Sequence, residues 1–182
     1  YLGQHNKNGK IFLYAPTFRD NSINALAIYK SVINSFEENA FEQDILILRL
    51  HPNERVLLSQ ITMSEKVKYS NQKDVQHDLL TADILISDYS GIIFDFRLLG
   101  RPIILYNPDY VTYFENRNGF YFNYDDLFIS CMHCSTKEEL NKVFAENIFL
   151  EVTELDKDPI LSLQSSGQAS SGIYEYFAKN DV

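Results

Sequence analysis

Short apolar runs with no polar alternation recur along this chain, at residues 11–15, 45–50, 83–87 and 103–106. A strand with one wet face alternates apolar and polar residues, so a run that does not alternate must be covered on both faces. Between the runs the apolar period changes. From Asn21 onward, Ile23, Leu26, Tyr29, Ile33 and Phe36 fall at steps of three or four, which predicts a helix with one apolar stripe. Residues 92–99 read as a compact helix closed by Gly100. Residues 74–80 read as a short helix that carries His77, and Pro52 suits the first turn of another. Thr136 and Glu139 have capping-box spacing and open a helix over 136–149. Residues 67–69 and 128–130 complete the strands, and a last helix is expected at 170–179. Strands and helices alternating at intervals of roughly twenty to thirty residues define the α/β class, a Rossmann-like parallel sheet with helices on both faces.

At 182 residues the chain suits a single domain of this kind. Its charge is uneven. Sixteen basic against twenty-five acidic residues give a net −9, which argues against whole-surface binding of nucleic acid or anionic membrane. Residues 1–60 hold six basic and six acidic groups, 61–120 six and eight, and 121–182 four and eleven, so an anion site belongs in the first two thirds. No apolar stretch reaches the length of a membrane span, since Arg49 interrupts even the run at 45–50. Two cysteines, Cys131 and Cys134, exclude a disulfide framework and point to a reducing compartment. With neither a secretory leader nor an initiator Met, the chain is expected to be a fragment of a longer protein.

Ligands of such sheets bind outside the carboxyl ends of the strands. Those ends read Pro16-Thr17-Phe18-Arg19-Asp20, His51-Pro52-Asn53-Glu54-Arg55, Ser87-Asp88-Tyr89-Ser90-Gly91 and Asn107-Pro108-Asp109, a composition that suits a phosphorylated ligand. After the strand at 83–87, a helix begins at Ser90 or Gly91. Its free amides can hold a phosphate, and Gly91 lets an anion come close. Asp95, one turn inward, is placed to reach ribose hydroxyls. The plain alternative makes Ser90 an ordinary cap and Asp95 a solvated helix residue. Arg19 reads either as a bidentate phosphate clamp or as a surface ion pair with Asp20. His51 is a ligand contact or a structural histidine. Cys131-Met132-His133-Cys134 offers three soft ligands where a stable zinc site needs four, so no metal site is expected. The aromatic run from Tyr110 to Tyr124 reads as a packed loop over the sheet edge, with a stacking face as the alternative.

Taken in order, five motifs are specific: Ala15-Pro16-Thr17-Phe18-Arg19-Asp20, Leu50-His51-Pro52, Ile86-Ser87-Asp88-Tyr89-Ser90-Gly91-Ile92-Ile93-Phe94-Asp95-Phe96, Leu99-Gly100-Arg101-Pro102-Ile103 and Gly119-Phe120-Tyr121-Phe122. Together, over about residues 10–178 and including Gly167-Gln168-Ala169-Ser170, they resemble the CDP-glycerol glycerophosphotransferase family of teichoic acid polymerases, primases and capsule enzymes. The resemblance implies the C-terminal, donor-binding half of a two-domain GT-B-like enzyme, with the N-terminal acceptor half absent. It implies that His51 and Arg19 act on the donor phosphates, that Ser90 and Gly91 hold them with Asp88 beside, and that Asp95 meets the ribose. The implied donor is CDP-glycerol or CDP-ribitol, the acceptor a lipid-linked polyol phosphate or glycan, and the place the inner face of the cell membrane. Neither a cofactor nor a metal is expected. The family's second histidine lies in a His-Gly motif that does not occur here, and His5 stands outside any family motif. Gly91 replaces a usual Ser or Thr, so only backbone donors remain there. The rivals are a sugar-nucleotide glycosyltransferase or epimerase of the same build, and a non-catalytic domain that recognises an anionic polymer.

Overall fold

A computed structural model describes residues 9–116 and 123–148. Its centre is a six-stranded, all-parallel sheet in the order β3-β2-β1-β4-β5-β6. The strands are β1 (Ile11–Tyr14), β2 (Ile45–Leu48), β3 (Val67–Tyr69), β4 (Ile84–Ser87), β5 (Ile103–Tyr106) and β6 (Met132–Cys134). The helices are α1 (Ser22–Asn39), α2 (Val75–Thr81), α3 (Ile92–Arg97), α4 (Tyr110–Asn116), α5 (Tyr124–Leu127) and α6 (Lys137–Glu146), with a 3₁₀ segment at Pro52–Gln60.

The unbroken apolar runs are explained by two cores. Successive strand residues point to opposite faces. Phe12, Tyr14, Ile84, Ile86 and Ile104 pack on one side with α1 and α6, whereas Leu13, Leu85, Ile103 and Leu105 pack on the other with α2, α3 and α5. On the first side Phe12, Phe36 and Phe144 form an edge-to-face trio with centroids 5.3–5.7 Å apart, which locks α1 and α6 onto β1. Local signals set the boundaries. Asn21 accepts from the amides of Ile23 and Asn24 to start α1, Thr136 and Glu139 form the expected capping box on α6, and Gly100 ends the turn after α3 at φ +63°.

Two expectations are corrected. The last strand is Met132–Cys134, while 128–130 is a turn. Phe128 is buried there by packing edge-on against Tyr124, so its apolarity reports a turn anchor, not a strand. The aromatic run contains two helices, α4 and α5, where a loop was expected. Arg97, on α3, is buried and reaches the Leu127 carbonyl and the Ser130 hydroxyl, which ties that helix to the turn. The expected helix at 170–179, the motifs at 119–122 and 167–170, and His5 lie outside the described residues.

Candidate functional site

The order in which strands are added reverses between β1 and β4: β2 and β3 are laid down on one side of β1, then β4, β5 and β6 on the other. At such a switch point the loops leaving adjacent strands part and leave a crevice at their carboxyl ends. A cleft of about 200 Å³ lies there, lined by Pro16, Arg49, His51, Arg55, Ser70 and Ser90 among others. The strand-end segments after β1, β2, β3 and β4 therefore meet in space.

His51 caps the 3₁₀ segment. Its Nδ1 accepts from the Asn53 amide at 3.3 Å, so the ring proton sits on Nε2, which is left as the donor. The ring is exposed and rests against Phe18, with centroids 5.1 Å apart. Arg55 is exposed, stands 5.7 Å from the centre of the Tyr69 ring, and has no carboxylate partner among the described residues. Arg49 is fixed: Nη1 bonds Asp78 Oδ2 at 2.5 Å and the Gln72 carbonyl at 3.1 Å, and Ser70 donates to the same Asp78 oxygen at 2.6 Å. Across the cleft, the Ser90 hydroxyl accepts from the Ile92 amide at 3.5 Å, a long contact. Gly91 has ordinary helical angles (φ −59°, ψ −18°), and a Cβ there would meet nothing within 4 Å. The fold does not need a glycine at this position; it leaves an open approach to the backbone. Asp95 is exposed on the first turn of α3, three residues from Ile92, which itself lines the cleft.

Two of the expected contacts are placed differently. Arg19 does not line the cleft; it is 7% exposed. Its Nε bonds Asp109 at 2.8 Å, Nη1 the Thr17 carbonyl at 2.5 Å, and Nη2 meets Asp88 at 2.8 Å and Asp109 at 3.2 Å. Burial works against its charge, but Asp88 and Asp109 more than offset that and raise its pKa. A phosphate clamp needs a free guanidinium fork, and this fork is occupied. Asp88, 1% exposed, is likewise bonded within the protein. It accepts from the amide and hydroxyl of Thr17 at 2.8 and 2.7 Å and from the Tyr89 amide at 2.6 Å, and the Tyr124 hydroxyl bonds its carbonyl. Burial pushes its carboxyl up, opposed by Arg19 and by those bonds. Tyr89 completes the group by donating to Asp109 at 3.1 Å and stacking on Tyr113 at 3.9 Å. Asp88, Arg19 and Asp109 thus form a buried brace that fixes the loops after β1, β4 and β5 to one another.

Arg49 and Arg55 also line the cleft; Arg55 belongs to the strand-end segment expected to meet a ligand, and Arg49 was given no site role. Their signal was position alone: both sit where β2 ends. Among the described residues no group of three His, Cys, Asp or Glu side chains could hold a metal ion, and Cys131 and Cys134 are both buried free thiols.

Sheet order and switch point define an α/β domain of Rossmann-like build, with a cleft at the carboxyl ends of its strands. The family model described as CDP-Glycerol:Poly(glycerophosphate) glycerophosphotransferase matches residues 3–157, so the chain belongs to that family. It is 39% identical over 128 residues to a teichoic acid poly(glycerol phosphate) polymerase of Bacillus spizizenii, covering 66% of this chain and 32% of the relative. It is 37% identical over 125 residues to a teichoic acid glycerol-phosphate primase of Bacillus subtilis, covering 63% and 30%. The chain thus spans about a third of the length of these relatives. The structure of the wall teichoic acid polymerase TagF superposes with a TM-score of 0.69 at 25% identity, over 96% of this chain and 44% of that one. A UDP-GlcNAc 2-epimerase of Neisseria meningitidis shares the fold, with a TM-score of 0.66 at 18% identity over 96% and 46%.

Proposed function

We propose that this chain is the donor-binding half of a polyol-phosphate transferase. An acceptor hydroxyl attacks the polyol-bearing phosphorus of CDP-glycerol, or of CDP-ribitol, and CMP leaves. The observation that carries the reading is the cleft at the β1–β4 switch point, which brings His51, Arg55 and Ser90 to one place in a member of this family. Phosphoryl transfer needs positioning and charge neutralisation more than covalent catalysis. Arg55 and the Nε2–H of His51 would meet charge that grows on the departing CMP, and such preorganised donors lower the barrier most. The amides at Ser90 and Gly91 hold the pyrophosphate, and Asp95, one turn along, takes the ribose. The brace of Asp88, Arg19 and Asp109 serves by holding these loops in register. No resident metal is part of the proposal, so turnover by the full-length enzyme should survive EDTA.

The acceptor is a lipid-linked polyol phosphate or glycan, met at the inner face of the membrane. No described helix is long and apolar enough to cross a membrane. The second half of the catalytic cleft, including the base, would come from an N-terminal domain of the same enzyme. Calorimetric titration with CMP, CDP-glycerol, CDP-ribitol and UDP-sugars tests the donor assignment: cytidine nucleotides should bind and UDP-sugars should not. Preference for a UDP-sugar would move the protein to the sugar-nucleotide enzymes that share its fold.

A further inference from the structure

The 3₁₀ segment that carries His51 at its cap and Arg55 in its body buries only two of its residues, Glu54 and Leu57. At three residues per turn these two share a face. Leu57 packs into the core with α1, as an inward position of an exposed turn should. Glu54 is the anomaly. It is 3% exposed, and a buried carboxylate costs stability unless its oxygens are bonded. One of them is: Oε1 accepts from the Arg19 amide at 3.2 Å, across thirty-five residues of sequence. The other, Oε2, has no hydrogen-bond partner among the described residues, and neither has the buried hydroxyl of Tyr29 on α1. Burial first, and then the Glu54 carboxylate, push the pKa of that hydroxyl up, so the two are neighbours. They are a donor and an acceptor for one another or for one bridging water.

The Oε1 bond joins two loops at a telling point. The Arg19 amide belongs to the Phe18–Arg19 peptide, and Phe18 is the ring on which His51 rests. The Arg19 side chain is held in the brace by Asp88 and Asp109, and Asp88 also fixes Thr17. Glu54 therefore fastens the segment after β2 to the loop after β1 where that loop is itself immobile. His51 stands three residues before Glu54 and Arg55 one after, both exposed. Among the described residues neither of their side chains hydrogen-bonds outside the segment, so their placement is inherited from the segment's anchors. We propose that Glu54 is a positioning residue, which sets His51 and Arg55 in the cleft without touching the ligand. Its effect on group transfer rests on the function proposed above; the positioning itself does not.

The test uses the full-length protein, labelled at histidine and arginine for NMR, with Glu54→Gln and Glu54→Leu. Gln keeps an oxygen for the Arg19 amide; Leu fills similar space and offers none. The His51 ring signals and the Arg55 Nε–H should shift in folded Glu54→Leu and stay near their wild-type positions in Glu54→Gln, with His133 unmoved in both. With CDP-glycerol as donor, kcat of Glu54→Leu should fall about 10- to 100-fold, the scale for a misplaced catalytic group, and Glu54→Gln should restore most of the rate. Affinity for CDP-glycerol should fall less than kcat, because His51 and Arg55 act most on charge that grows during transfer. On a His51→Ala background Glu54→Leu should cost far less than on the wild type, since one of the groups it acts through is gone. Should Glu54→Leu not fold, Glu54→Met, apolar and more flexible, is read in the same way. Unmoved His51 and Arg55 signals in the folded apolar variant, an unchanged kcat there, or a fully additive loss on the His51→Ala background overturns the proposal. Wild-type enzyme that releases no CMP from CDP-glycerol or CDP-ribitol would instead sink the transferase reading, and the NMR comparison would still decide for or against Glu54.

Discussion

Arg19 and Arg55 both follow the carboxyl end of a strand, Arg19 after β1 and Arg55 after β2, and the structure gives them opposite lives. Arg19 is buried between two carboxylates and spends its donors on the protein. Arg55 is exposed, backed by an aromatic ring, and lines the cleft. One holds the site's frame and the other is available to a ligand. Strand-end position tells where a site is; what neutralises a charge tells whether that charge is for use.

The sharpest way to break this contrast is to remove one partner from each region. Asp88→Ala leaves the Arg19 guanidinium buried with half its counter-charge and strips Thr17 of two bonds, so unfolding free energy should drop by about 3–5 kcal/mol. Arg55→Ala should leave stability within about 0.5 kcal/mol, as for a surface change, while weakening CDP-glycerol binding. Denaturant melts of both variants decide the matter. A stable Asp88→Ala protein that binds nucleotide poorly would make Asp88 a ligand residue after all.

His51 sharpens the contrast at the level of catalysis. Exposed and resting on Phe18, it contributes little to the core. In the complete enzyme His51→Ala should lower kcat by on the order of 100-fold or more, the scale for losing a preorganised donor to developing charge. Affinity for CDP-glycerol should fall less, because the interaction strengthens as CMP departs. Its melting temperature should hardly move. A large loss of stability with specific activity retained would assign His51 to the scaffold.

How much of this was legible in the sequence follows the range of the interactions. Five of six strands and four of six helices, together with the caps at Thr136 and Gly100, come from signals within a few residues. Helix α4 was not legible because it buries no residue fully and so carries no 3.6-residue apolar stripe. Met132–Cys134 lacks the β-branched residues that mark a strand. In the site, His51 and Ser90 were found as motif members and do share the cleft. The role of Arg19 was not legible, since the Asp109 that occupies it is ninety residues away and Asp20 stands next door.

The buried half of the molecule makes its own pH prediction. Burial pushes the Cys131 thiol up to about 11, with Arg97 and a Ser130 hydrogen bond opposing, and the Cys134 thiol up to about 12, with Glu139 adding to the burial. In the unfolded chain such thiols ionise near 9.0. Between that value and the folded one, the folded state holds protons that the unfolded state has released, so stability is intact below pH 9 and falls as pH rises from there. Native protein at pH 8 should also resist a thiol reagent such as DTNB until it is unfolded. A Cys131→Ala, Cys134→Ala protein should show a shallower alkaline decline. Rapid labelling of the native thiols would show that the β6 end is open, contrary to its burial.

The smallest expected effect comes from Gly91, and it discriminates by sign. Its angles are those of any helical residue and a Cβ there points into open space, so Gly91→Ala meets no strain and no clash. Restricting the unfolded chain should then stabilise the protein by about 0.4–1 kcal/mol. Nucleotide binding should respond the other way. If the pyrophosphate lies against the backbone at Ser90 and Gly91, the added methyl occupies the space through which the anion approaches, and affinity for CMP and for pyrophosphate should fall severalfold together. The contrast with the brace is then complete: a residue whose change improves the fold and harms the ligand belongs to the cleft, and one whose change harms the fold first belongs to the frame. Equal melting temperatures with unchanged affinity would move the anion away from the start of α3, and would leave Arg55 and His51 as its principal contacts.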